Sequence, residues 1–278
     1  MLPESQLYTF IDQEKKFALY FLEGQKLIHD LVLTHHLKKG GFSYFRSAVL
    51  GVQLMLALLK KGEYFCFYID AESPYFRLKI EMNAMGLMRG VLYPENLASE
   101  PESIQGIARL VKFLPHAESP YQSTLDLRDV SLDEIINLVL SRSYQVESRV
   151  ELAQVSDQSF MLHQLPLISR EDPSDIEEAF RQYQEPLNQF MARGLSTLED
   201  IQQELTHMGF KYLAHRPVQF SCGCSKTQMI TNVQSYAKTS NEDIFLPGEN
   251  SLQVICEYCK TAYQITVTDI EERSAAPS

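Results

Sequence analysis

Two pairs of cysteines near the C-terminus constrain this chain more than any other feature. The first pair is Cys222-Gly223-Cys224 and the second is Cys256-Glu257-Tyr258-Cys259, with residues 225–255 between them. Two close pairs separated by the length of a hairpin form the pattern of a four-thiolate zinc site. The predicted Zn²⁺ ligands, named the thiol cluster below, are Cys222, Cys224, Cys256 and Cys259.

The spacing of the first pair points beyond a purely structural metal. Zinc ribbons usually build both knuckles from cysteines with two to four residues between them, whereas Gly223 alone separates Cys222 from Cys224. Each close pair can also form a local disulfide, and oxidised sulfurs no longer bind zinc as thiolates. The chemistry therefore allows a redox switch, and a ribbon that only stabilises the C-terminus remains the alternative.

Composition and charge bound the class of protein. The chain has 278 residues, of which 45% are hydrophobic and 22% charged, as in ordinary globular proteins of one or two domains. A formal net charge of -11 gives no general attraction for phosphate backbones. We see no signal peptide or apolar run long enough to span a bilayer. The expected location is the cytoplasm, where clustered cysteines favour metal over disulfides.

The predicted fold class is α+β, and the chain divides into three parts and a tail. Residues 1–170 form a mixed α/β domain, residues 171–217 a helical linker, residues 218–270 the zinc module and residues 271–278 the tail. The module is too small to bury much core, so zinc would provide much of its stability, roughly 10–16 kcal/mol in structural zinc peptides.

Hydrophobic periodicity predicts the elements of the first domain. Residues 6–37 carry a helical pattern around Phe17, Leu19 and Phe21, and residues 44–61 predict a second helix that ends at Gly62. A capping box at Ser131-Leu132-Asp133-Glu134 predicts a helix to about Ser141. The predicted strands are residues 64–69, 75–82, 88–93, 146–152 and 160–165, with a short extended stretch at 125–127.

The linker shows explicit helix signals and little strand signal. Asp172-Pro173-Ser174-Asp175 predicts the start of one helix, which Pro186 should kink or end. Ser196-Thr197-Leu198-Glu199 predicts the cap of a second, ended by Gly209. The apolar stripe of this second helix is narrow, so we expect the linker to stay folded only while something holds it in place.

The cysteine motifs resemble those of the heat shock protein 33 family, the redox-regulated 33 kDa chaperonins of bacteria. The resemblance is strongest over residues 218–271, where Phe220–Ser225 matches the first pair of the family and Cys256–Tyr263 the second with its following aromatic residue. Weaker matches include Met88-Arg89-Gly90 and residues 161–166. Departures, such as Ala71-Glu72-Ser73-Pro74 in a turn and Tyr144 in place of an acid, lie in the first domain and leave the ligands untouched.

The resemblance implies a holdase chaperone without ATP hydrolysis, and no enzyme activity. Such a protein is inactive while reduced and zinc-bound. Oxidation would form the disulfides Cys222–Cys224 and Cys256–Cys259, release zinc and unfold the linker. The implied partners are unfolding client proteins and, in the oxidised state, a second copy of the chain. The acidic charge and the short apolar runs predict neither a nucleic acid nor a membrane as partner.

Two other protein classes remain as alternatives, and a fifth cysteine lies outside the thiol cluster. A nucleic-acid or protein-binding zinc ribbon without a switch could use a basic patch, but the chain is acidic and lacks Trp; the patch would comprise Lys226, Lys238, Lys260 and Arg273. A thiol oxidoreductase needs its C-x-x-C at a helix N-terminus, whereas Cys256 follows a strand-like segment, residues 252–255. Cys66, in the apolar run 64–69, is predicted to be a small core residue without a function.

Overall fold

The structure is a computed structural model that describes residues 2–14, 16–166, 175–194, 197–240, 244–245 and 248–274. Its contacts divide the chain into two compact units, Met1–Phe220 and Ser221–Ser278.

Eleven strands belong to the described part of the first unit. They are β1 Gln6–Asp12, β2 Phe17–Glu23, β3 Tyr64–Ser73, β4 Tyr75–Asn83, β5 Leu87–Tyr93, β6 Ile104–Phe113, β7 Tyr121–Val130, β8 Ser148–Leu152, β9 Gln158–Gln164, β10 Phe210–Pro217 and β11 Gln219–Phe220.

Five α-helices accompany these strands in the described part of the first unit. They are α1 Gln25–Thr34, α2 Lys39–Gln53 with a 3₁₀ extension Leu54–Leu58, α3 Leu132–Leu138 with a π-helical extension Val139–Tyr144, α4 Ile176–Ala192 and α5 Leu198–His207. In the second unit the elements are α6 Lys226–Ser240, β12 Ser251–Ile255, β13 Ala262–Thr266 and α7 Val267–Ser274.

The first unit contains two sheets. One has five antiparallel strands in the order β10-β1-β2-β9-β8, and the other has six in the order β11-β5-β4-β3-β6-β7. Pairing in the six-stranded sheet is antiparallel except between β11 and β5. Helix α2 contacts strands of both sheets, and its residues Ala48, Val49 and Leu50 are fully buried. The main hydrophobic core therefore surrounds α2.

Helix α2 and its extension also pass a simple test for a membrane span. The run Lys39–Leu58 is long and apolar enough to cross a bilayer, but 67% of its most apolar window is buried inside the unit. Core helices of globular proteins pass the same test, so this run is weak evidence for a membrane segment.

Both faces of the five-stranded sheet are covered. Side chains alternate between the faces of a strand, so along β9 Met161 joins the core around α2, whereas Phe160 and Leu162 pack with α4 and α5. We call the side packed against α4 and α5 the outer face of this sheet. Its buried side chains are mostly aromatic and are Tyr8, Phe10, Phe17, Leu19, Phe21, Phe160, Leu162 and Phe210.

The predicted helix over residues 6–37 is wrong over residues 6–23, somewhat more than half of its length. The chain forms the strands β1 and β2, and only α1 is helical. Because both faces of the sheet are buried, β2 is apolar at nearly every position, and the apolar run does not show the period of two that identifies a half-buried strand. The helix predicted over residues 44–61 is confirmed as α2 and its extension.

The predictions of secondary structure in the linker are only partly confirmed. Helix α4 continues through Pro186 to Ala192, so this proline does not end the helix, and the alternative of a kink at Pro186 stays a prediction. Asp175 caps α4 and Thr197 caps α5, while residues 172–174 and Ser196 lie outside the described residues. Strand β10, which pairs with β1, corrects the prediction of little strand structure in the linker.

The division of the chain by contacts differs slightly from the predicted boundaries. The sequence begins the module at Val218, but Val218 is buried in the core of the first unit and its backbone nitrogen donates to the oxygen of Ser5 at 2.9 Å. The next two residues form β11 of the six-stranded sheet. The second unit therefore begins at Ser221, directly before the first cysteine of the thiol cluster.

Candidate metal centre

The first cysteine pair lies directly before helix α6. Cys222 and Cys224 are half-buried in an irregular segment, residues 221–225. The hydroxyl of Ser225 accepts a hydrogen bond from the backbone nitrogen of Gln228 at 3.3 Å, and so caps the helix. The pair is thus next to a helix N-terminus, where the positive end of the helix dipole favours thiolate charge.

The second pair lies in the turn between β12 and β13. The backbone nitrogen of Cys256 donates to the oxygen of Thr261 at 2.9 Å, and that of Lys260 donates to the oxygen of Cys256 at 2.8 Å. Lys260 has a φ of 58°, in the left-handed region that most side chains avoid. The pairing of β12 with β13 therefore holds a tight turn around Cys256 and Cys259.

The structure brings the four predicted ligands together. The sulfur atoms of the thiol cluster all lie within 4.8 Å of one another. The Sγ–Sγ distance is 3.8 Å for Cys222 and Cys256 and 3.3 Å for Cys224 and Cys259, so each contact joins the two pairs. A tetrahedral site with zinc–sulfur bonds of about 2.3 Å has sulfur–sulfur edges of about 3.8 Å. The donor set and its spacing therefore fit a metal ion bound by four thiolates.

The second unit has only a small core around this cluster. Its described residues include one buried side chain from the thiol cluster, Cys256, and four buried apolar side chains, Met229, Ile230, Val233 and Ile265. So few buried groups offset little of the conformational entropy lost when a unit of this size folds. A metal bound by the thiol cluster would supply the missing stability.

Two hydroxyl groups lie beside the sulfurs. The Oγ1 atom of Thr261 is 3.2 Å from Sγ of Cys259. The Oη atom of Tyr263 is 3.1 Å from Sγ of Cys224 and 3.2 Å from the carbonyl oxygen of the same residue. The hydrogen bond with Cys224 raises the pKa of Tyr263 to about 12.

Neither Thr261 nor Tyr263 was predicted from the sequence as a site residue, and Tyr263 entered only as part of a family motif. The two positions follow Cys259 by two and four residues, and so share one face of an extended segment. This alternation was the signal that could have identified both.

Without a bound cation, the pKa values of Cys224 and Cys259 shift in opposite directions. Burial raises the pKa of Cys224 to about 12, and hydrogen bonds with the other cysteines act in the same direction. Burial also raises the pKa of Cys259, but hydrogen bonds with Thr261 and Cys224 outweigh it and lower this pKa to about 6. Four thiolates at such distances repel one another, so a divalent cation is needed to stabilise all four charges.

Other candidate ligands lie elsewhere. Within the described ranges, the thiol cluster is the group of His, Cys, Asp or Glu side chains that could hold a metal ion. His215 lies in the first unit against Tyr8 and Tyr212. Cys66 is buried as predicted, but on the face of β3 opposite the core residues Phe65 and Phe67. Burial raises the pKa of the Cys66 thiol, which disfavours its reactive thiolate.

Comparisons with known proteins agree with one another. A family model described as Hsp33 protein matches residues 5–266. The 33 kDa chaperonin of Citrifermentans bemidjiense is 25% identical over 238 residues, which cover 78% of this chain and 79% of that protein. The 33 kDa chaperonin of Streptococcus uberis is 28% identical over 169 residues, 55% of either chain.

A solved structure shares the fold. The crystal structure of the 33 kDa chaperonin of Thermotoga maritima matches with a TM-score of 0.78 at 15% identity and covers 97% of both chains. The relatives carry the name of a chaperonin, which is a class of binding protein and not of enzyme. Since the family model spans nearly the whole sequence, including every residue of the thiol cluster, the chain belongs to the Hsp33 family of chaperones.

Proposed function

We propose that this chain is a redox-regulated, ATP-independent holdase of the cytoplasm, inactive while the thiol cluster is reduced and binds Zn²⁺. The observation that carries the proposal is the thiol cluster itself, in which two close cysteine pairs meet with all sulfurs within 4.8 Å. When bound, zinc would neutralise the thiolate charge and hold the small second unit together.

Oxidation would remove these ligands. In the proposed reaction, two thiolates of one pair give two electrons to a peroxide, which takes up two protons and leaves as two waters while a disulfide forms. The proposed disulfides are Cys222–Cys224 and Cys256–Cys259. Both are local, so they leave the two halves of the module unconnected, and the module unfolds with release of zinc.

The proposed client surface is the outer face of the five-stranded sheet. Helices α4 and α5 cover it, and both lie in the proposed linker, residues 171–217. We propose that the linker loosens once the module unfolds. The aromatic side chains beneath it would then be free to bind unfolding clients, because exposed apolar patches of this kind bind other proteins. The oxidised protein is proposed to form a homodimer.

The test is suppression of aggregation of a thermally unfolding client, with released zinc followed in the same cuvette. Reduced, zinc-loaded protein should be inactive. Peroxide-treated protein should suppress aggregation in step with zinc release and become inactive again after reduction. Zinc release without activity would refute the proposal and favour a zinc ribbon that binds nucleic acid or protein without a switch.

Disulfide mapping tests the proposed pairing separately. Mass spectrometry of the oxidised protein should find crosslinks within each pair of the thiol cluster. Crosslinks between the pairs, such as Cys222 to Cys256, would refute this part of the proposal, since they would fasten the module instead of releasing it.

A further inference from the structure

We propose that Tyr263 and Thr261 are positioning residues that set how fast the thiol cluster is oxidised. When the sulfurs are thiolates, each does so by donating a hydrogen bond from its hydroxyl group to one sulfur of a different cysteine pair. The inference rests on the proposed function, because it concerns the regulation of the same site.

Each of the two hydroxyls contacts a different cysteine pair. Tyr263 lies in β13, opposite Val254 of β12, yet its Oη reaches Cys224 of the first pair, 3.1 Å from the sulfur. Thr261 lies in the turn before β13, and its Oγ1 is 3.2 Å from the sulfur of Cys259, in the second pair. Each pair therefore has one sulfur beside a hydroxyl.

The oxidation step shows why these contacts matter. One thiolate sulfur attacks a peroxide oxygen, so an S–O bond forms and the O–O bond breaks, and the leaving hydroxide takes one proton to become water. The second thiolate of the pair then attacks this sulfur, the S–S bond forms and the S–O bond breaks, and the hydroxide takes a proton. Two electrons pass from the sulfurs to the peroxide. The rate depends on the electron density available at the attacking sulfur.

A hydroxyl that donates to a thiolate lowers this availability. The hydrogen bond is charge-assisted, so it stabilises the thiolate more than the sulfur that has lost its charge. Breaking or weakening it is therefore part of the barrier to oxidation. The same bond supports metal binding, because groups that contact metal ligands typically change metal affinity ten- to a hundredfold.

Tyr263 has a second acceptor within reach. Its Oη lies 3.2 Å from the carbonyl oxygen of Cys224, nearly the same distance as to the sulfur. The hydroxyl can donate to the thiolate while the sulfur is charged, and to the carbonyl once that charge is lost. Tyr263 is thus not left with an unpaired hydroxyl after oxidation, which favours its use as a reversible contact.

The experiment measures oxidation of each pair separately in the full chain. Zinc-loaded wild type, Tyr263→Phe and Thr261→Val are treated with hydrogen peroxide. Zinc release is followed with a colorimetric chelator, and differential alkylation with mass spectrometry reports each pair over time. Phe lacks only the hydroxyl of Tyr, and Val keeps the shape of Thr with a methyl group in place of the hydroxyl. Thr261→Ser, which restores a hydroxyl, and Tyr236→Phe, on an exposed tyrosine of α6, are the controls.

The expected result is a crossed pattern. Tyr263→Phe should oxidise the first pair about tenfold faster, the effect of losing one hydrogen bond to a charged group. Thr261→Val should oxidise the second pair faster by a smaller factor, about threefold, since Thr261 is exposed and water can partly replace its hydroxyl. Thr261→Ser and Tyr236→Phe should match wild type.

Two results would overturn the inference while the proposed function stands. One is unchanged oxidation of both pairs in both variants. The other is equal acceleration of both pairs in each variant, which would indicate a loosened module. A wild type that releases no zinc with peroxide would instead overturn the proposed function, and this inference with it. None of these results depends on a measurement of chaperone activity.

Discussion

At the scale of single residues, the five cysteines of the chain lie in two chemical environments. The thiol cluster gathers four sulfurs beside a helix N-terminus and two hydroxyls. Cys66 instead lies buried in β3, on the face of the strand away from the core, and its raised pKa keeps it protonated. The same residue type therefore forms a candidate metal site in one place and packs as a buried side chain in the other.

Substitution by serine should separate these roles. Cys224→Ser replaces a thiolate by a hydroxyl that does not ionise at neutral pH, so we expect it to abolish tight zinc binding and unfold the second unit. Cys66→Ser should keep a full complement of zinc. Metal analysis after dialysis, with amide exchange over α6, measures both. Wild-type zinc content in Cys224→Ser would contradict the assignment of the ligands.

A second residue with unusual chemistry is Glu23, at the end of β2. It is buried, and it accepts hydrogen bonds from Nε2 of Gln158 at 2.6 Å and from the backbone nitrogen of Gln25 at 3.1 Å. Burial raises its pKa from 4.5 to about 7, although both hydrogen bonds act to lower it. The folded protein therefore binds this proton more tightly than the unfolded chain does.

This pKa predicts how stability depends on pH. Its contribution to the free energy of unfolding is absent at pH 8, grows as the pH falls through 7 and is complete below about 4.5. The shift corresponds to at most about 3 kcal/mol. In Glu23→Gln, which stays neutral, this part of the pH dependence should disappear. Urea unfolding of both proteins at pH 5 and pH 8 measures it, and identical pH dependences would refute the role of Glu23.

At the scale of elements, α4 is a helix that depends on its packing. Pro186 in its interior removes a backbone hydrogen bond and costs about 3 kcal/mol in an isolated helix. Burial of Leu187, Phe190 and Met191 against the outer face offsets the cost of this proline. Hydrogen bonds from Gln184 and Asn188 to Glu151 of β8 also contribute. A helix with this balance is suited to leave the sheet when its support weakens.

Removing one buried ring should release α4 without oxidation. Phe190 is fully buried, with its ring centroid 5.3 Å from that of Phe21. We expect Phe190→Ala to weaken docking of the linker by about 3–5 kcal/mol. The reduced, zinc-loaded variant should then suppress aggregation, which wild type in that state should not. Gln189→Ala, an exposed change on the same helix, is the control. If the amides of α4 exchange rapidly in reduced Phe190→Ala but the variant does not suppress aggregation, the outer face does not bind clients.

The elements also show which sequence signals were reliable. Caps are local, so the box at Ser131 predicted the start of α3 correctly, with its hydroxyl accepting from the nitrogen of Glu134 at 3.3 Å. Periodicity failed where burial is two-sided, as in β2, because every position is then apolar. Strand β10 was missed because only Phe210 is buried along its length.

At the scale of the whole molecule, the thiol cluster was predictable and the fold only partly so. Cysteine spacing is local information, and it identified all four residues that the structure brings together. The order of strands in the two sheets depends on pairings distant in sequence, such as β1 with β10, which no local pattern specifies. The division into a domain, a linker and a module remains a prediction. It depends on how each of these parts responds to oxidation.

The central claim is that oxidation of the thiol cluster frees the outer face of the five-stranded sheet. Hydrogen exchange read by mass spectrometry, during peroxide treatment of the zinc-loaded chain, tests it most directly. We expect amides of α6 and of α4 and α5 to lose protection together as zinc is released, while β3 and β4 stay protected. Zinc release with unchanged protection of α4 and α5 would contradict the claim, because the client surface would then remain covered.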